Sequence, residues 1–156
     1  TVDRPWREWV PSEVLEPYPS DVGADATVTE PSALFYLLAV ADLDRVGDSL
    51  TTLVFSKGRV MRVRLSVVDR AGIKADYIEV SDSGETRIRG RRETLRITVE
   101  GTPVGSGASV RDFELLGLRG DVEIYLEPAR RLPLQIAGDL RYAGKGRIRL
   151  QRVVLN

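Results

Sequence analysis

The stretch SLTTLVFSKGRVMRVRLSVVDR, residues 49–70, decides the fold because its apolar side chains recur at every second position. From Met61 to Val67 the odd-numbered residues are apolar, whereas the even-numbered ones include Arg62 and Arg64. Successive side chains of a strand point to opposite faces, so this period of two predicts a half-buried strand. The Ser-Lys-Gly-Arg sequence before it predicts a hairpin turn from a preceding strand.

The same alternation returns through most of the remaining chain. Further strands are predicted at 73–82, 87–101, 120–128, 131–142 and 146–155. Each is bounded by residues that favour turns, such as Gly, Pro and Asp. The pattern therefore predicts a single mainly β domain over residues 29–156, with about seven or eight antiparallel strands.

One segment, TEPSALFYLLAVADL at residues 29–43, has the spacing of a helix instead. A proline falls in its first turn, and Leu34, Leu37 and Leu38 recur at helical intervals. Because nearly every residue is apolar, we predict a helix over about 31–41 that is buried on most sides. At about 12 residues it is too short to cross a bilayer.

The composition excludes several classes of chemistry. The chain has neither His nor Cys, so it lacks the usual general base at neutral pH and the commonest zinc ligands. Catalysis by a Ser-His-Asp or Cys-His arrangement is excluded within this chain. We expect no metal and no cofactor. The formal net charge is zero, which argues against a general attraction to nucleic acid or anionic membranes.

The chain shows no membrane-spanning stretch, since no apolar run reaches about 18 residues. No signal peptide is visible either. The sequence begins with Thr1 rather than Met, which predicts that a leader or a longer precursor has been removed.

Residues 1–28 differ from the rest, because four prolines fall between residues 5 and 19. Proline fixes φ and restrains the residue before it, so we predict an extended arm. Trp6, Trp9 and Tyr18 are large apolar groups on this arm. They either pack on the chain's own domain or dock on another protein, since Trp and Tyr are typical interface anchors.

Arginines form a second candidate partner-binding surface. They recur two residues apart in three groups, which are Arg62 with Arg64, Arg87 with Arg89 and Arg91, and Arg147 with Arg149. Each group lies on one face of its strand, and adjacent groups would bind carboxylates or phosphates. Alternatively, glutamates on neighbouring strands neutralise them. No nucleic acid is expected, because stacking aromatic residues are not interleaved with the arginines.

Two other motifs are interpreted as structural. Asp121 and Glu123 share one strand face about 7 Å apart, within the range of glycosidase carboxylates. That face lies opposite the apolar one, so we expect it to meet solvent. GTPVGSG, at 101–107, is predicted to be a connecting loop, because it lacks the Lys-Ser/Thr pair of a phosphate-binding loop.

The stretch YLEPARRLPLQI, residues 125–136, predicts a corner between two strands. Pro128 ends the first strand, and Arg130 and Arg131 lie in the connection. Pro133 cannot donate to the ladder, so its nitrogen should face an edge or a bulge. The side chains predicted to face the core after the corner are Leu132, Leu134 and Ile136.

Three segments together resemble a family of bacterial exported proteins, domain of unknown function 3108. They are EPSALFYLLAVADLDRVGDSLTTLVFSKGRVMRVRLSV, DVEIYLEPARRLPLQI and GKGRIRLQRVVL. Their order and spacing agree with the family over about residues 30–155, whereas 71–120 match poorly. The resemblance implies export to the periplasm or cell envelope. It also implies a strongly curved antiparallel sheet or half-barrel with the helix packed against it, and it assigns no catalytic residues.

These observations predict a non-enzymatic envelope protein that acts as a structural or interaction subunit of a larger assembly. Its partners would be other envelope proteins, or further copies of itself through the N-terminal arm. One alternative is a carrier of a lipid-like hydrophobic ligand in the curved sheet. Another is a hydrolase that uses carboxylates alone.

Overall fold

The computed structural model describes residues 22–23, 25–105 and 113–155. Its strands are β1 Val28–Thr29, β2 Ser49–Ser56, β3 Arg59–Ser81, β4 Gly84–Pro103, β5 Glu114–Leu115, β6 Leu118–Glu127, β7 Leu132–Leu140, β8 Gly144–Arg149 and β9 Arg152–Val154. A 3-10 turn, Pro31–Ala33, leads into the helix α1, Leu34–Val40. The prediction of a mainly β fold with one short helix is confirmed.

All nine strands belong to one mixed sheet with the order β1-β2-β3-β4-β6-β7-β8. The long neighbouring strands pair antiparallel, as predicted. The prediction is wrong for two short strands, because β1 pairs in parallel with β2, and β9 pairs in parallel with β3. The sheet bends far enough for β9 to reach β3, but it is not closed into a barrel.

The hairpin of β3 and β4 is the longest feature of the sheet. The sequence predicted two strands where the structure has β3, a single strand of 23 residues. The interruption in its pattern is a β-bulge at Val68, since Val67 lies opposite Ile97 and Asp69 lies opposite Arg96. A bulge adds one residue to one strand without ending the ladder, so the two predicted strands are continuous.

The bulge transfers the odd-numbered side chains of β3 to the other face of the sheet. Directly opposite residues share a face, and Ile97 and Arg96 are neighbours that point opposite ways. Before the bulge the odd-numbered residues from Met61 to Val67 belong to the main core. After it, Ile73, Ala75 and Tyr77 belong to a second apolar cluster on the face of Arg96.

The corner at residues 127–132 supplies the other side of this second cluster. Tyr125 lies opposite Gln135 and Leu126 lies opposite Pro133, so Leu134 is an extra residue in β7. Of the two settings predicted for Pro133, an edge or a bulge, the structure shows the bulge. The predicted facing of the leucines is wrong, because Ile136 alone joins the main core while Leu132 and Leu134 pack in the second cluster.

The two arginines of the corner make internal contacts. Arg130 pairs with Glu79 on β3. The guanidinium of Arg131 donates to the backbone oxygens of Ala41 and Leu43, just beyond α1, and lies 2.8 Å from the carboxylate of Asp44. The corner therefore attaches the end of the helix segment to the sheet.

The helix α1 is buried on one side only, which corrects the prediction of burial on most sides. Leu34 and Leu38 are fully buried in the main core, whereas Tyr36 and Val40 are 79% and 77% exposed. With seven residues, α1 lies against the sheet through one stripe of side chains.

Candidate partner-binding groove

Two adjoining cavities form a groove beside the half of the β3–β4 hairpin that lies beyond the bulge at Val68. We call this the far half of the hairpin, and the part before the bulge is the near half. The larger, of about 550 Å³, is lined by residues 72–76 and 89–91 and by Arg149. The smaller, of about 210 Å³, lies between residues 74–77 of β3 and residues 149–151. Because they share residues on both walls, we describe them together as the basic groove.

Positive charge dominates this groove. The side chains in it that are charged at neutral pH are Lys74, Asp76, Arg87, Arg89, Arg91 and Arg149. Five basic residues thus surround one carboxylate, in a chain whose formal net charge is zero. Such an excess favours a ligand that carries several negative charges.

The single carboxylate is already engaged by two of the arginines. Arg87 donates to both oxygens of Asp76, at 2.8 and 3.0 Å, and the Nε of Arg89 lies 3.3 Å from Asp76. These hydrogen bonds, above all the one from Arg87, hold the pKa of Asp76 below its usual range. The carboxylate therefore stays ionised and keeps Arg87 in place.

Three cations of the groove, Lys74, Arg91 and Arg149, have no carboxylate partner among the described residues. Neither Lys74 nor Arg91 forms an ion pair there, and Arg149 bonds only the amide oxygen of Gln135, at 3.3 Å. The guanidinium of Arg91 lies over Gly72, where a Cβ would be 2.4 Å from its Nε. Glycine at this position therefore lets Arg91 lie flat along the strand.

One edge of β3 is open along the groove. On that side β3 pairs with β2 as far as Ser66 and with β9 from Ile78, and no described strand pairs with it in between. The amide of Ile78 donates to Gln151 across this edge. Because backbone groups alternate along a strand, the N–H groups of Gly72, Lys74 and Asp76 also point to the open edge.

The structure brings together some of the predicted site residues and separates others. Arg149 lies in the basic groove, together with the group Arg87, Arg89 and Arg91. Arg62 and Arg64 lie on the near half of β3, where Arg64 is opposite Glu100. Arg147 lines a different cleft. The predicted arm residues Trp6, Trp9 and Tyr18 fall outside the described part of the chain.

Lys74 is the groove residue that sequence reasoning missed. It is the cross-strand partner of Arg91, but the sequence places it in a segment with mixed composition. The i, i+2 repeat of Arg87, Arg89 and Arg91 was the available signal. Lys74 could be identified as the partner of Arg91 only once the register of β3 beyond the bulge was known.

A second cleft, of about 590 Å³, lies on the outer face of β4, β6, β7 and β8. It carries both signs of charge, from Glu100, Asp121, Glu123, Lys145 and Arg147. As predicted, Asp121 is exposed to solvent. The mixture of charges makes this cleft less selective for an anion than the basic groove.

Glu123, in the second cleft, is held in a hydrogen-bonded network. Arg96 donates to it at 2.7 Å and also binds Asp69, while the hydroxyl of Tyr125 donates to its other oxygen at 2.8 Å. Hydrogen bonds to the two carboxylates raise the pKa of Arg96, and burial is the main cause of the raised pKa of Tyr125. A glutamate therefore neutralises an arginine across strands here, but Arg96 is not in the three arginine groups identified from the sequence.

No family model, curated protein or solved structure matches the chain. The resemblance to domain of unknown function 3108 stays a prediction. Over residues 22–23, 25–105 and 113–155, no cluster of three or more acidic side chains could hold a metal ion. Within the same ranges, none of the helices has the length and apolar character needed to span a membrane.

Proposed function

We propose that the protein is a non-enzymatic interaction subunit that binds an acidic segment of a partner protein in the basic groove. The observation that carries the proposal is the surplus of cations around Asp76, beside the open edge of β3. Lys and Arg side chains attract carboxylates over several ångströms, and an open strand edge offers backbone donors and acceptors to an extended chain.

The geometry of Asp121 and Glu123, the two carboxylates on one face of β6, supports a non-enzymatic role. Both oxygens of Glu123 accept hydrogen bonds, from Arg96 and Tyr125, so this carboxylate has a structural partner on each side. A catalytic pair needs both carboxyl groups available to the substrate, one as the acid and the other as the base or nucleophile, and Glu123 is already engaged. With neither His nor Cys in the chain, few groups remain for acid–base or nucleophilic work.

We place the binding role in a larger assembly of the bacterial cell envelope, as the family resemblance implies. The charge of the groove suits a protein partner with clustered Asp and Glu. The carrier of a hydrophobic ligand is less well supported, because α1 packs against the apolar face of the sheet through Leu34 and Leu38.

Peptide titration tests this proposal. A fluorescein-labelled peptide of alternating Glu and Thr is titrated with the full chain, and fluorescence anisotropy reports binding at low ionic strength. We expect saturable binding that weakens steeply between about 0.02 and 0.5 M salt, because screening shortens the reach of charge. Replacing Lys74→Glu and Arg91→Glu together should weaken binding by about tenfold or more, since two attractive contacts become repulsive.

The matched control is the pair Arg62→Glu and Arg64→Glu, which makes the same change of charge on the near half of β3. This variant should bind the peptide within about twofold of the parent chain, because its altered charges lie beyond a Debye length from the groove. Equal losses in both variants would show a diffuse charge effect and overturn the proposal. Binding of phosphatidylglycerol vesicles without binding of the peptide would overturn it in favour of a membrane surface.

A further inference from the structure

We propose that the acidic segment binds in the gap between β3 and β8 as an inserted strand, with its backbone bonded to both strand edges. This inference rests on the proposed function and adds a second wall, β8, to the binding site. It also defines the ligand more closely, as a strand in which acidic side chains alternate with apolar ones.

The second edge of β8 has no described strand beside it. β8 pairs with β7 on one side and ends the strand order of the sheet. The amide of Leu150, directly after β8, donates to the backbone oxygen of Leu134 on β7 at 3.0 Å. Because backbone groups alternate along a strand, the N–H and C=O groups of Lys145, Arg147 and Arg149 point away from β7. β8 therefore offers backbone donors and acceptors to an additional strand, as β3 does.

The open edges of β3 and β8 border one gap. The chain leaves β8 at Arg149, and Gln151 accepts a hydrogen bond from the amide of Ile78 at 2.9 Å before β9 pairs with β3. The smaller cavity of the groove lies where the two edges meet. Farther back along β8 the edges are apart, since most Cα atoms of β8 lie more than 8 Å from those of β3. Paired strands are about 4.8 Å apart, so the gap is too wide for β3 and β8 to pair directly and leaves a place between them.

The two faces of the gap differ in polarity. On one face, Lys74 of β3 and Arg149 of β8 line the same cavities. On the other face, the next residues along the chain, Ala75 and Leu150, pack in the second apolar cluster. Neighbouring side chains of an extended chain point opposite ways, so a strand in the gap would meet cations on one face and apolar groups on the other. Its own side chains should therefore alternate, acidic toward the cations and apolar toward the cluster.

The charge of β8 favours an acidic partner over a second copy of the chain. Lys145, Arg147 and Arg149 lie at alternate positions and therefore on one face of the strand. Antiparallel pairing of two copies about Arg147 would place Arg147 opposite itself and Lys145 opposite Arg149. Like charges directly opposite each other are destabilising. In an acidic strand, the same positions would face carboxylates instead.

Backbone methylation of the Glu-Thr peptide tests whether the segment is bonded on both sides. In an extended peptide, the N–H groups of the Glu residues point to one side and those of the Thr residues to the other. One peptide is N-methylated at its central Glu residues and another at its central Thr residues, and fluorescence anisotropy with the full chain measures the binding of each. We expect both to bind about tenfold or more weakly than the unmethylated peptide, because each loses its donors to one of the two strand edges.

A peptide of alternating Glu and Val tests the side-chain pattern of the ligand. It should bind about threefold or more tightly than the Glu-Thr peptide, because each Val presents a methyl group in place of a hydroxyl to the apolar face. The matched control has the same composition in the order Glu-Glu-Val-Val, which divides its acidic side chains between the two faces. We expect the control to bind about tenfold more weakly than the alternating peptide.

Amide hydrogen exchange of the full chain detects the contact at β8. With saturating Glu-Thr peptide, the amides of Lys145, Arg147 and Arg149 should exchange about tenfold more slowly, whereas those of Gly146 and Ile148, which face β7, should not change. The chain carries no substitution in this measurement, so a folding defect cannot imitate the result.

The outcomes separate this inference from the proposed function. If only one methylated peptide loses affinity and the amides of β8 do not change, the segment pairs with β3 alone, so this inference falls and the proposed function stands. If no acidic peptide binds saturably, both fall. Equal binding of the two Glu-Val peptides would overturn the alternating ligand, and slower exchange at β8 without any at β3 would overturn the insertion.

Discussion

Replacing Tyr77 with alanine is expected to lower the free energy of unfolding by about 3–4 kcal/mol. Tyr77 is 2% exposed and packs in the second apolar cluster, beside Ala75 and Leu134. Removing the ring leaves a cavity between the far half of the hairpin and β7, which the surrounding backbone can close only in part. Urea unfolding followed by circular dichroism measures the change.

Tyr77→Phe is the matched control for this prediction. The hydroxyl of Tyr77 is buried and makes no hydrogen bond to the described part of the chain, so removing it costs no bond there and relieves about 1 kcal/mol or more of desolvation. We expect Tyr77→Phe to be as stable as the parent chain or slightly more stable. An equal loss in both variants would show that the hydroxyl, rather than the packing of the ring, holds this cluster together.

The side chain of Tyr77 should also make the stability of the fold depend on pH in alkaline solution. Burial, followed by the charge of Glu127, raises the pKa of Tyr77 above its usual value. The folded state therefore holds this proton more tightly than the unfolded state does. Stability is unaffected below the unfolded pKa of about 10 and decreases as the pH rises through the folded pKa. In Tyr77→Phe this decrease should be shallower.

The second large effect is expected at α1. Replacing Leu38, which is fully buried, with alanine should lower the free energy of unfolding by about 3 kcal/mol, since a buried Leu→Ala change loses both transfer energy and packing. Val40→Ala, two residues away and 77% exposed, should change it by less than about 0.5 kcal/mol. The same unfolding assay compares the two.

This pair of variants tests whether α1 is an integral part of the main core. Comparable losses in Leu38→Ala and Val40→Ala would mean that the exposed side of the helix is covered in solution. Negligible losses in both would mean that the helix can separate from the sheet without unfolding it. Either result would contradict the packing described here.

The period of two in residues 49–70 was sufficient to predict the β2–β3 hairpin and the inner face of β3 up to Val67. The next strand was predicted separately, because the sequence around Asp69 loses its alternation. A bulge and a chain break leave the same local signature, since both disturb the period by one residue. Only the register with β4 distinguishes them.

The helix shows a different limit of sequence reasoning. Its position was predicted closely, because Leu34 and Leu38 recur at helical spacing. Its degree of burial was overestimated, since Tyr36 and Val40 are apolar but exposed. Apolar residues are common on protein surfaces, so composition alone does not determine how many sides of a helix are covered.

The groove could be predicted in part. The repeat of Arg87, Arg89 and Arg91 indicated a basic strand face, and Arg149 was selected with it. The contribution of Lys74 depends on pairing between distant segments. The separation of Arg62 and Arg64 from the others follows from the length of β3, which carries the two groups to opposite halves of the hairpin.

Amide hydrogen exchange can show whether the open edge of β3 binds an acidic extended segment. The measurement uses the full chain, with and without saturating Glu-Thr peptide. We expect the amides of Gly72, Lys74 and Asp76 to exchange about tenfold more slowly with peptide, whereas those of Ile73 and Ala75, which face β4, should not change. Unchanged exchange at the three edge amides while the peptide is bound would contradict this expectation.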